Sequence, residues 1–103
     1  MDDRRIFQRF NLRLPVRLLD SITGNEIPAE TSDISAKGMG LKLKQELRVN
    51  TPLEAWVHVP DKGEPLYTRG IAVWSKISGV GEYRVGIDLE RADLMGLSRI
   101  LRA

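Results

Sequence analysis

Two short patterns carry most of the polar chemistry of this sequence. The first, Asp33-Ile34-Ser35-Ala36-Lys37-Gly38, sets a carboxylate, a hydroxyl and a glycine at the spacing DxSxxG. At this composition the coincidence is expected far less than once. A strand-to-strand turn would explain it, with Asp and Ser capping backbone donors and Gly supplying positive φ; a ligand-binding loop is the alternative. The second pattern, Arg5-Ile6-Phe7-Gln8-Arg9, is RxxxR. Alone it says little, because eleven arginines supply such a pair by chance, and Arg9/Arg13 and Arg13/Arg17 satisfy it too. Arginines every four residues would suit one stripe of a basic helix lying on nucleic acid or anionic lipid. The apolar alternation from Leu12 onward and the helix-breaking Pro15 oppose that. Arg13 and Arg17 therefore belong on the outer face of a first strand. Arg5 and Arg9 precede it, in a segment free to fold over a ligand.

The charge balance agrees. Sixteen basic and fourteen acidic residues in 103 leave a net charge of +2, too small for a protein that tracks long nucleic acid. Within the first seventeen residues, however, five arginines meet only Asp2 and Asp3. The basicity is local, which suits a compact anionic ligand better than a duplex.

Catalysis finds no support. There is no cysteine, hence no disulfide framework and no thiolate nucleophile or metal site. His58 is the only histidine, placed mid-strand between Val57 and Val59 with no second ligand beside it, so no metal is expected. No serine sits in a nucleophile elbow, and neither a Walker A loop nor GxGxxG occurs. No apolar stretch approaches the ~20 residues of a membrane span, and the first residues carry no apolar leader. The chain is expected to be soluble and cytoplasmic, without membrane insertion.

The elements that must position these residues are strands. Leu12, Leu14, Val16 and Leu18 alternate with Arg13, Pro15 and Arg17, a strand with one buried face. Pro15 would place it at an edge or bulge. The same period two runs through Met39–Lys44, Leu53–Val59 and Tyr83–Leu89; Leu66–Lys76 is rich in β-formers, and a weaker run lies near Ile27–Ile34. Turn signals at 23–25, 50–52, 60–63 and 78–81 separate them. Leu94, Leu97 and Leu101 change to helical spacing after Asp93, a plausible N-cap. The expectation is a mainly β, six-stranded antiparallel barrel (residues 11–90) with a C-terminal α-helix (91–103) and a flexible N-terminal arm (1–10), all in one domain. Such a small filled barrel has little room for a substrate cleft.

In this order the motifs resemble the PilZ domain family, a split barrel whose members bind the bacterial second messenger cyclic di-GMP. RxxxR precedes the first strand, Pro15-Val16 follows, and Asp33 of DxSxxG lies 24 residues after Arg9. Gly70-Ile71-Ala72-Val73-Trp74 looks like the family's G-x-V-V-W strand. Tyr83-Arg84-Val85-Gly86-Ile87-Asp88-Leu89 looks like its Y-R-x-G-V-x-F strand, with Leu89 replacing the usual Phe.

The resemblance implies a receptor. Arg5 and Arg9 would bridge ligand phosphates and the guanine O6/N7 edge with their forked donors, in an order the sequence leaves open. Asp33 would accept the guanine N1–H and N2–H₂ donors, which adenine does not present. Ser35 would add a hydrogen bond, and Gly38 would let the main chain approach. Arg4, Gly40 and Trp74 are secondary candidates. An arginine at the place of Arg4 is associated in the family with two stacked ligands per chain. Gly40 would extend the clearance or simply start a strand. Trp56 and Trp74 offer faces for base stacking, though packing is the commoner fate of a strand tryptophan. The arm, anchored by Ile6, Phe7 and Phe10, is expected to wrap over ligand and present a changed surface to a downstream effector protein, with homodimerisation an open alternative. The competing expectations are a ligand-free interaction module of the same fold, and a small-barrel single-stranded nucleic-acid binder. Six aromatics and a charge of +2 count against the latter, so no DNA or RNA partner is expected.

Overall fold

A computed structural model describes residues 11–35, 37–60 and 63–89. Six strands form: β1 (Pro15–Asp20), β2 (Glu26–Ile34), β3 (Gly38–Leu43), β4 (Pro52–Val57), β5 (Leu66–Gly79) and β6 (Glu82–Leu89). All neighbours are antiparallel. The sheet closes in the order β1-β2-β3-β6-β5-β4, which leaves no open edge. The expected flexible arm and C-terminal helix lie outside the described residues.

The alternation sets the inside and outside of the barrel. Val16 and Leu18 of β1, Leu41 of β3, Ala55 and Val57 of β4, and Val85 and Ile87 of β6 point inward and are buried. Fully burying each large apolar side chain contributes about 1.5–3 kcal/mol. Their neighbours Arg17, Lys42, Trp56 and Arg84 take the opposite face. Arg17 stacks 4.7 Å over Trp56 of β4 and pairs with Glu26 of β2 at 3.4 Å.

Two local expectations change. Pro15 occupies neither an edge nor a bulge: it opens β1, and its carbonyl accepts the His58 amide at 2.9 Å. His58 is not mid-strand, since β4 ends at Val57 and His58 is exposed just beyond it. The last hairpin is also tighter than the turn signal implied. β5 runs through Gly79, and Gly81 turns the chain at φ 66°.

The chain enters β1 through a buried clamp. Thr31 of β2 is fully buried and its hydroxyl donates to the Leu12 carbonyl. The same oxygen accepts the Leu14 amide at 2.8 Å, and the Thr31 amide donates to the Leu14 carbonyl at 2.9 Å. The segment bearing RxxxR thus joins the barrel two residues along β2 from Asp33.

Candidate functional site

A strand that points Ile27, Ala29 and Thr31 inward would also point Asp33 inward. It does not, because the β2–β3 register shifts between Thr31 and Asp33. This bulge adds one residue, so Ile34 becomes the next buried side chain and Asp33 turns onto the outer wall. β5 repeats the device. Thr68 and Ala72 face inward, the β5–β6 register shifts between Ala72 and Trp74, and Trp74 emerges 42% exposed. Without that shift its indole would share the inward parity of Ala72.

The two re-aimed side chains stand on one line across the wall. Asp33 pairs with Gly40, Gly40 with Gly86, and Gly86 with Trp74. Three strand spacings of ~4.8 Å separate the ends, about 14 Å of backbone. Between them lie two glycines, and both are there because a neighbour needs the space. A Cβ on Gly40 would run into the Asp33 carboxylate, and one on Gly86 into the Trp74 indole nitrogen. The Gly40 amide donates to Asp33 Oδ1 at 3.0 Å, fixing the carboxylate over β3. The result is a shelf whose two glycines are buried, Gly40 beneath the Asp33 carboxylate and Gly86 beneath the Trp74 indole.

Ser35 and Gly38 build the turn beside this shelf. Ser35 is 3% exposed, and its hydroxyl oxygen accepts the Lys37 and Gly38 amides at 3.3 Å each while lying 3.3 Å from the Gly38 carbonyl. The Ser35 amide donates to the Gly38 carbonyl at 2.8 Å. Asp33 and Ser35 thus do cap backbone donors. Gly38, however, has no positive φ. Its role is close approach: a Cβ there would run into the Ile87 carbonyl of β6.

The structure thus brings Asp33, Gly40 and Trp74 onto one face, with Ser35 and Gly38 supporting its end. Arg4, Arg5 and Arg9 lie outside the described residues. Gly86 went unnoticed as a site residue, although it stands in the Tyr83–Leu89 motif. Its signal was a small residue directly opposite a large aromatic, visible only once strands are paired. Among the described residues no group of three His, Cys, Asp or Glu side chains is arranged to hold a metal ion. No helix among them is long and apolar enough to cross a membrane.

The PilZ domain family model matches residues 3–103, nearly the entire sequence. The chain belongs to the PilZ domain family. Solved structures agree on the fold. MrkH of K. pneumonia, determined as its c-di-GMP complex, superposes with a TM-score of 0.77 at 18% identity, covering 98% of this chain and 52% of MrkH. The PilZ domain of CeSA from a cellulose-synthesizing bacterium gives 0.71 at 18% identity, covering 93% of this chain and 99% of that domain. The Bacillus subtilis inhibitor of motility, MotI/DgrA, gives 0.69 at 15% identity, covering 96% and 52%. This PilZ chain therefore spans about half the length of MrkH and of the motility inhibitor, and nearly all of the CeSA domain. No curated protein sequence matches it.

Proposed function

We propose that this PilZ chain is a cytoplasmic cyclic di-GMP receptor, a binding protein and not an enzyme. The observation that carries the reading is the shelf: Asp33 and Trp74 come out on one face, over the paired glycines Gly40 and Gly86. Its geometry suits a flat base. Asp33, oriented by the Gly40 amide, accepts from the N1–H and N2–H₂ edge of a guanine. A carboxylate has acceptor sites enough for both tasks. Adenine lacks the N2–H₂ donor and is rejected, because it would leave the carboxylate poorly matched. Trp74 supplies an aromatic face at the far end, and base–aromatic stacking is worth about 1–3 kcal/mol.

The remaining contacts come from the arm. Arg5 and Arg9 close over the ligand with bidentate contacts to phosphate and to the guanine O6/N7 edge. The Thr31 clamp fixes where that arm leaves the barrel. Arg4 supports two stacked ligands per chain. Residues 1–10 act as the arm, 11–90 as the barrel and 91–103 as a helix of a single domain, and the closed arm is the surface that an effector protein reads. MrkH, whose structure carries c-di-GMP, shares this fold.

Isothermal titration with cyclic di-GMP, against cyclic di-AMP and GTP, tests the reading. Micromolar or tighter binding of cyclic di-GMP alone is expected, lost in Asp33→Ala and Arg9→Ala while the fold is kept. No heat, or equal binding of all three nucleotides, overturns it.

A further inference from the structure

Two residue pairs along β3 and β6 from the shelf, the same wall carries a second line. Lys42 of β3 stands directly opposite Arg84 of β6, and Arg84 directly opposite Lys76 of β5. All three point outward, with Glu30 opposite Lys42 at the far end. The Arg17–Glu26 ion pair lies elsewhere on the barrel, between β1 and β2. Like charges directly opposite on neighbouring strands are destabilising, so this arrangement costs the free barrel stability. An anion seated on it would recover that cost.

Two further observations place such an anion beside the shelf. Lys76 Nζ lies 5.6 Å above the Trp74 ring, so its charge reaches back over the indole end of the shelf. At the other end, Lys42 and Arg84 line a depression of about 290 Å³ together with Arg13, Glu30 and Ser32. The two lines are two residues apart on β3 and β6, about 6.8 Å along the strands. That is the reach of a ribose between its base and its phosphate.

We propose that Lys42, Arg84 and Lys76 form a phosphodiester-binding row for the cyclic dinucleotide. The inference rests on the receptor reading above and deepens it. A guanine held by Asp33 and stacked on Trp74 directs its phosphodiester onto the row. Arg84 sits at the centre, half-buried with a cation on either side, and supplies the forked donors that suit a phosphate.

The test joins calorimetry to thermal melting of the full chain. Arg84→Gln and Lys76→Gln should each weaken cyclic di-GMP about tenfold, and make binding less sensitive to salt. The free variants should melt at or above the wild-type temperature, since a repulsion has been removed. Arg84→Lys should recover part of the affinity. Lys76 is exposed, so Lys76→Gln decides the matter if Arg84→Gln unfolds the barrel. Affinity within twofold of wild type in Lys76→Gln and in any folded Arg84→Gln overturns the row. If Asp33→Ala still abolishes binding in that case, the receptor reading stands without it. If wild type binds no cyclic di-GMP, both fall. A single-stranded oligonucleotide is titrated in parallel. Should the row variants weaken only the oligonucleotide, the row serves nucleic acid and the proposal is wrong.

Discussion

Two buried threonines do opposite things with the same hydroxyl. Thr31 and Thr68 are both fully buried. Thr31 Oγ1 donates to the Leu12 carbonyl and accepts the Leu14 amide, so it satisfies two backbone groups at the root of the arm. Thr68 Oγ1 has no hydrogen-bond partner. Removing the first hydroxyl strands a buried amide, at a cost of about 1–3 kcal/mol. Removing the second relieves a desolvated group that gains nothing. Thr31→Val should therefore lower the unfolding free energy from urea denaturation by that amount, with a lower midpoint, and Thr31→Ser should recover most of it. Thr68→Val should leave the midpoint unchanged or raise it. Equal losses in both valine variants would show that side-chain packing, not hydrogen bonding, sets these positions.

At the scale of elements, β6 is the strand on which the site is assembled. Gly38 of β3 meets it on one side and Gly70 of β5 on the other, each so close that a Cβ would strike a β6 carbonyl, Ile87 and Asp88 respectively. A flexible side chain can swing away from such a clash; a paired backbone cannot. Gly38→Ala should consequently destabilise the barrel by about 1–3 kcal/mol and disturb ligand binding through the Ser35–Gly38 turn. Gly79→Ala is the matched control. Its nearest neighbour is Glu82 Cβ at 3.7 Å and its φ is not positive, so a change within about 0.5 kcal/mol is expected. Chemical denaturation of both variants makes the comparison. The same elements explain what could be read from residue order alone. Period two marks β1, β3, β4 and β6, because burial on one face leaves its mark on every second residue, while β5 shows as a run of β-formers and β2 as a weaker run. It could not locate the bulges, since one extra residue such as Ser32 or Val73 looks like noise in an alternation. Asp33 and Trp74 were legible as residue types, but their common face was not. That face depends on a parity change in each strand and on a pairing with Gly40 and Gly86 that only the closed barrel supplies.

For the whole molecule, closure separates two walls that carry different work. Gly40 and Gly86 lie on β3 and β6, while Arg17 and Trp56 lie on β1 and β4, on the far side of the ring. A closed barrel of this size should unfold as one unit, so a ligand on the first wall stabilises the second by linkage alone. At a free ligand concentration a hundredfold above Kd the gain is about 2.7 kcal/mol. In a domain of this length each kcal/mol moves Tm by roughly 4–8 °C. Saturating cyclic di-GMP should therefore raise Tm by more than 10 °C, and GTP at the same concentration should not. Arg17→Ala separates stability from recognition. It removes a cation–π contact and an exposed ion pair, worth about 1 kcal/mol together, so the free protein should melt a few degrees lower. The ligand-induced increment in Tm should be unchanged, because Arg17 and Trp56 stand on strands that carry none of Asp33, Gly40, Gly86 and Trp74. A smaller increment in Arg17→Ala would mean that the walls are coupled through the barrel, and that the site extends beyond the face formed by β2, β3, β6 and β5.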